Sequence, residues 1–395
     1  MKEGGKLRTE LKELMRKVAS TDPEHEGGYT YEFNNKDCIA RFRSEILPKT
    51  KVVYRATSDD KHMFVAALEA AGVNCAVTGE APNDAEALRE ASVGFAMGVG
   101  GCAVARDNSD IIILNDAFGG VVSAIRWGRN IFENCRKFVQ FQLTVNISCL
   151  FIVIVGGASL GSSPFSVIQL LWINLVMDVL AAVALATEAP HPSKLRRDRV
   201  RLTGPEAEKI LTPRMWRAVS FQVTYQAIVM LVLLYAGPNL FGIGYNLFST
   251  ALYERRGPDK VPTWHLQHNT LMFQAFALMN LFNMLNCRVV ETENEPGYWV
   301  FGGLFRSWWF LIVWLAELNI QCLVVGCPGP GAVFQATPLT PAMHLTCLAL
   351  GFGSLVVAAI AKSTPDGLLK IYPALQESEG EASYGAGVDK FVNAT

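Results

Sequence analysis

The sequence predicts a mixed fold: a partial α/β region followed by a six-helix α-helical transmembrane bundle. Three observations predict it. Charged residues crowd into positions 1–137, while 138–361 are mostly apolar. Strand and helix signals alternate between 50 and 116, which argues for a parallel sheet with crossover helices. Beyond that stand six apolar runs near the roughly 20 residues that a membrane helix needs. The chain of 395 residues has room for two or three domains. Its formal net charge of −1 gives no polyanion-binding signal, so no nucleic-acid partner is expected.

The opening residues, KEGGKLRTELKELMRK, lack the apolar core of a signal peptide and read as a solvated charged segment or helix. KVVYRA (51–56) predicts a strand, and 60–72 an amphipathic helix ending at Gly72. VNCAVT (73–78) predicts a buried strand, 83–91 a helix, and SVGFAM (92–97) and DIIIL (110–114) two further strands. Ligands of such sheets sit beyond the carboxyl ends of the strands, which is where 78–84 fall. GVGG (98–101) is followed by no GK[ST] and predicts a turn. A helical pattern then runs from Phe118 to Lys137 straight into the first apolar run.

The six runs lie at about 138–158, 165–187, 215–235, 270–287, 308–326 and 342–361, the fourth being the shortest. KLRRDRVR (194–201), Lys209 and Arg214 separate the second and third, whereas 327–341 holds no Lys or Arg. The 236–269 connection has only Arg255, Arg256 and Lys260. The positive-inside rule then puts both termini and the basic loop in the cytosol, with the basic run as a topology anchor. The nine cysteines form no CxxC pair, and Cys149, Cys322 and Cys347 read as small apolar residues. A sequon at Asn393 would go unused on a cytosolic tail.

Three stretches carry a resemblance: TGEAPNDAEALREASVGFAMGVGGCAVARDNSDIIIL, WGRNIFENCRKFVQFQLTVN and LLWINLVMDVLAAVALATEAP. Together they resemble the P-type ATPases, most of all the plasma-membrane-type (type IIB) calcium pumps, in their C-terminal part only. The resemblance is dense from 78 to 190 and weaker from Phe42 to 77 and from 191 to Lys362. It implies an ATP-driven Ca²⁺ pump, with Mg²⁺ and ATP as cofactors and Ca²⁺ as the transported ion. It also implies a charged segment at 1–28, a partial haloacid-dehalogenase-like phosphorylation domain at 29–133, the six spans at 134–362 and a short acidic tail at 363–395. The location implied is a multi-pass place in the plasma membrane or an intracellular calcium-store membrane. The family's phosphorylated aspartate lies in DKTGT, which this sequence lacks. The chain alone is therefore expected to be inactive: either a piece of a larger pump or a catalytically dead paralogue that regulates an intact pump or binds a cation passively. The tail shows no basic amphipathic helix, so no calmodulin site is expected.

The family pattern at 78–88 reads TGDGxNDxPAL. Thr78, Gly79, Asn83 and Asp84 agree with it, and Lys61 in SDDKH matches the lysine that neutralises phosphate charge. Glu80 replaces a magnesium-binding aspartate, Ala81 a glycine and Glu86 a proline. Magnesium demands near-octahedral geometry at about 2.0–2.1 Å, and glutamate is one methylene longer, so metal binding by Glu80 and Asp84 is expected to be weakened. Pro82 further removes an amide donor from the bend.

In the apolar part, Asn174 and Asp178 are spaced i, i+4, which predicts one shared helix face. A carboxylate at a helix centre costs about 2.5–3.5 kcal/mol on insertion scales, which asks for a partner: a cation, a buried network or water. Asn146 adds a further carbonyl, and the resemblance matches all three to calcium-binding positions. Three side chains fall short of the 6–8 oxygens that Ca²⁺ takes. Asn280, Asn283 and Asn286 read as a packing stripe, and Glu317 as a second costly carboxylate that matches no family ion motif.

Overall fold

The computed structural model describes residues 2–19, 29–161, 163–188, 210–243, 263–289, 304 and 307–364. The basic run 194–201, Lys209, the basic residues expected at 255–260, the acidic tail and Asn393 lie outside them. The chain divides into two compact units, with the boundary at Arg129 and Asn130.

In the first unit, β1 (Lys2–Glu3) leads into α1 (Gly4–Leu14), followed by a hairpin of β2 (Met15–Ala19) and β3 (Tyr29–Phe33) in antiparallel register, Met15 opposite Phe33. The opening segment is a helix with a buried stripe: Leu7, Leu11 and Leu14 pack with Met15, Tyr31, Phe42 and Met63. After α2 (Lys36–Arg41), the strand expected at 51–56 shrinks to β4 (Val53–Tyr54), which pairs in parallel with β1. The helix expected at 60–72 is α3 (Ser58–Ala70), closed by Gly72 at φ +72°, a conformation in which glycine carries no Cβ penalty. Then come β5 (Ala76–Gly79), α4 (Ala85–Glu90), β6 (Val93–Met97), α5 (Ala103–Asp107) and β7 (Ile111–Ile113). The last three strands form one parallel sheet in the order β5-β6-β7, so the predicted alternation is present, with β4 outside that sheet.

The helix α6 (Gly119–Leu160) runs 42 residues. In the second unit it is followed by α7 (Val167–Leu171), a wide π turn (Trp172–Met177) and α8 (Asp178–Ala186), together one 20-residue helix. Next are α9 (Pro213–Leu240), α10 (Thr263–Arg288), α11 (Trp308–Gly326), α12 (Pro328–Val333) and α13 (Pro341–Ser363). Several start where the sequence supplies a cap. The hydroxyls of Ser166, Thr212 and Thr340 accept the amides of Gln169, Met215 and Met343. Pro213 and Pro341 take first-turn positions where a missing N–H costs nothing.

Among the described residues, five helices are long and apolar enough to cross a membrane: α6, α7–α8, α9, α11 and α13. Five of the six expected runs are thus matched by this measure, and the fourth is not. It is a helix of sufficient length, α10, but too polar by composition. Its polarity has a use. From Thr270 to Arg288 every residue except Phe282 is buried, and α10 packs on α9, α11 and α13. The amide of Gln226 on α9 donates to Asn280 (2.9 Å), Gln321 on α11 to Gln274 (2.9 Å), and Asn286 to the Ser354 carbonyl on α13 (3.0 Å). Away from water such groups must find protein partners, and α10 is where the neighbouring helices find them. Close approach matters too: a Cβ at Gly353 would fall 2.2 Å from the Tyr225 hydroxyl, which donates to the Leu350 carbonyl.

One end of this bundle is tied by a single carboxylate. Glu188 Oε2 lies 2.6 Å from Lys137 Nζ on α6, and its Oε1 lies 3.2 Å from Arg288 Nε on α10 and accepts from Ser307 at 3.4 Å. The Glu188 carbonyl accepts the side-chain amide of Asn130 at 2.7 Å. Burial by itself pushes the Glu188 carboxyl up, but Lys137 and Arg288 more than reverse this and hold it below the ordinary glutamate range. A lowered folded-state value means the stabilisation is complete above the unfolded-state value and fades as pH falls through the folded one. Glu188→Gln is therefore expected to lower stability at neutral pH by about 3–5 kcal/mol, because two buried cations lose their shared partner. The gap to wild type should close below about pH 4. Thermal unfolding in lipid nanodiscs across pH checks both the size and the sign.

Candidate functional site

In the first unit the loop 78–84 sits at the carboxyl end of β5. Thr78 and Gly79 are the last strand residues, Pro82–Asp84 form a single 3-10 turn, and α4 starts at Ala85. The structure brings Lys61 and Asp84 together: Nζ to Oδ1 is 2.6 Å. The other oxygen of Asp84, Oδ2, accepts the amides of Ala81 (3.2 Å) and Glu80 (3.4 Å). Burial would raise the Asp84 carboxyl, but the Lys61 hydrogen bond and these amides outweigh it and hold it below the usual range. Gly79 permits the closure, since a Cβ there would meet the Asp84 Cβ at 2.6 Å. Glu80 and Asn83 are exposed, and the Asn83 carbonyl accepts the Ser58 hydroxyl at 2.9 Å.

Next to this loop the GVGG stretch is a bend whose amides are already engaged. Asp116, at φ +50°, accepts from Gly98 (2.7 Å), Val99 (3.0 Å) and Gly100 (2.6 Å). The Val99 and Gly100 bonds hold its carboxyl below the usual range. The nest that a phosphate would seek is filled from within.

In the second unit Asp178 is buried at the first turn of α8, and Gln142 of α6 donates to its Oδ2 at 2.6 Å. Asp178 Oδ1 and Gln142 Oε1 are buried without a protein partner. Asn174 is exposed, as is Asn146 on α6. The shared face expected for Asn174 and Asp178 assumes an α-helix. The stretch Trp172–Met177 is instead a π turn with i→i+5 bonding, and its wider turn shifts the phase between the two side chains. Gln142 is the residue that sequence reasoning missed. It lies one turn before Asn146, and the available signal was a cluster of side-chain amides, Gln140, Gln142 and Asn146, in one apolar run. Among the described residues no three His, Cys, Asp or Glu side chains form a metal-binding group, so any cation here would depend on amide or carbonyl oxygen as well.

The family model described as "Cation transporting ATPase, C-terminus" matches residues 162–364. The "Putative calcium-transporting ATPase 11, plasma membrane-type" of Arabidopsis thaliana is 38% identical over 320 residues, covering 81% of this chain and 29% of the relative. "Plasma membrane calcium-transporting ATPase mca-1" of Caenorhabditis elegans is 36% identical, covering 81% of this chain and 24% of its own length. "Plasma membrane calcium-transporting ATPase 4" of Bos taurus is 36% identical over 82% and 26% respectively. The chain thus spans between about a quarter and three tenths of the length of these relatives. With the matched model covering more than half of its residues, the chain belongs to the cation-transporting ATPases and carries their C-terminal domain, with plasma-membrane-type calcium pumps among its relatives.

Proposed function

We propose that the chain is the C-terminal part of an ATP-driven, Ca²⁺-transporting P-type pump and supplies its membrane cation site around Asp178. On this reading α10 is the sixth crossing helix, shielded from lipid by its neighbours, and both termini are cytosolic. The membrane is the plasma membrane or a calcium-store membrane. The first unit is the remaining part of a haloacid-dehalogenase-like phosphorylation domain, with Lys61, Thr78, Gly79, Asn83 and Asp84 in the positions of its phosphate loop.

The observation that carries the reading is the buried Asp178–Gln142 pair, which holds two oxygens with no protein partner. A buried carboxylate left half-satisfied costs about 1–3 kcal/mol or more, and a hard cation such as Ca²⁺ is the ligand that such oxygens suit. Asn146 and Asn174 are exposed at the surface of this unit and would join the site only with groups this chain does not hold. The missing groups belong to the N-terminal part of the pump, which is the proposed partner.

One observation favours a second reading, a catalytically dead paralogue that binds a cation passively or regulates an intact pump. Both oxygens of Asp84 are already taken, and Glu80 points a longer carboxylate to solvent. Mg²⁺ would have to displace Lys61 from Asp84.

Three outcomes are expected. Incubated with radiolabelled ATP, this chain alone gives no acyl-phosphate. Asp178→Asn in nanodiscs weakens Ca²⁺ binding at least tenfold by equilibrium ⁴⁵Ca²⁺ measurement; unchanged affinity would remove Asp178 from the site. Lys61→Met costs about 1 kcal/mol or less, because the pair is partly exposed. That loss should be present at neutral pH and vanish as pH falls through the lowered Asp84 value. On the second reading Mn²⁺ detected by electron paramagnetic resonance binds the loop only after Glu80→Asp, whereas on the first it binds wild type as well.

A further inference from the structure

We propose that Glu317 of α11 is the second carboxylate of the cation site at Asp178, so that α6, α8 and α11 build one oxygen-lined site for a divalent cation. The proposal rests on the reading of Asp178 as a cation ligand and extends it to a helix that no motif singled out.

The argument begins with register. Trp172 Nε1 donates to Gln321 Oε1 at 2.9 Å, and Ser307 Oγ donates to Glu188 Oε1 at 3.4 Å. A later residue on one segment thus meets an earlier residue on the other, so α7–α8 and α11 run antiparallel. These contacts are sixteen residues apart on the first segment and fourteen apart on the second. Interpolated between them, Asp178 falls level with about residue 316, within roughly one 1.5 Å helical step of Glu317. The helices α8 and α11 pack directly on each other along this stretch.

Orientation agrees with register. The buried face of α11 is Phe310, Glu317, Gln321 and Val324, a spacing that repeats on one side of an α-helix. Gln321, one turn from Glu317 on that face, reaches inward to Trp172 and to Gln274. Glu317 is 97% buried, at 3% exposure, and its Oε1 has no protein partner. Three buried oxygens therefore lack partners in one region: Asp178 Oδ1, Gln142 Oε1 and Glu317 Oε1.

Two ionised carboxylates buried at one depth repel, and the repulsion is relieved by protonating one of them or by a cation between them. Among the described residues Lys137, Arg288 and Glu188 already form their own cluster at the end of the helices, so those cations are spoken for. A divalent cation satisfies both acids at once, with the Gln142 carbonyl as a neutral third ligand. This also supplies from within the chain part of the 6–8 oxygens that Ca²⁺ requires.

The test uses the full chain in nanodiscs with Ca²⁺ as the probe. Glu317→Gln, which keeps shape and removes charge, is expected to weaken ⁴⁵Ca²⁺ binding at least tenfold while the thermal unfolding midpoint is kept or raised. A folded E317Q protein with wild-type affinity, alongside a D178N protein that has lost it, overturns the role of Glu317 and leaves the Asp178 reading standing. Wild type that binds no Ca²⁺ overturns both. Because E317Q could fail to fold, wild type labelled with ¹³C-glutamate supplies the second measurement. Its Ca²⁺-induced infrared difference spectrum should contain a glutamate carboxylate band that disappears in D178N, and absence of that band overturns the proposal.

Discussion

A carboxylate that two cations share where the helices converge is the constraint on which the second unit depends. Glu188 joins α6, through Lys137, to α10, through Arg288, and to the start of α11, through Ser307. Each bond fixes the axial position of one helix against the others. The longitudinal register that sets Asp178 level with Glu317 follows from that tie and from the Trp172–Gln321 hydrogen bond at the other end. Dispersion and apolar packing hold the helices together but tolerate sliding by a fraction of a turn. Short charged contacts do not.

The same economy of polar contacts explains α10. Five helices present apolar exteriors, while the one enclosed by the others carries His268, Gln274, Asn280, Asn283 and Asn286. Gln274, Asn280 and Asn286 each make one hydrogen bond to a neighbouring helix there, while Asn280 Nδ2, Asn283 Nδ2 and Asn286 Oδ1 are buried without a protein partner. In the first unit the logic runs the other way. There the ion-binding features of a parallel α/β sheet are occupied by the protein itself, the Asp84 carboxylate by Lys61 and the Gly98–Gly100 amides by Asp116.

Much of this was legible in the sequence, for reasons that can be named. Apolar runs and period-3.6 patterns located α3, β5, α4, β6 and β7, but β5, expected to be buried, lies at the edge of its sheet with Ala76 and Thr78 exposed. Five apolar runs were long enough to declare themselves. β4 was overestimated because Val52 and Tyr54 give a strand-like pattern, yet the side chains of both are exposed. α10 was the least distinct because its burial is against protein, which composition does not report. The phase of Asp178 relative to Asn174 was hidden because a π turn leaves no simple pattern in residue types. The pairing of Glu188 with Lys137 and Arg288 joins positions 51 and 100 residues apart and becomes visible only in three dimensions.

The polarity of α10 has a consequence for biogenesis. A segment bearing this many amides and imidazoles partitions poorly into hydrocarbon as a solitary helix, since each unmet donor or acceptor is penalised there. On the proposed reading in which α10 crosses the bilayer, its entry awaits company: α9 ahead of it in synthesis offers Gln226, while the partners on α11 and α13 emerge later from the ribosome. On that reading, integration of the second unit is cooperative across several helices rather than sequential one by one.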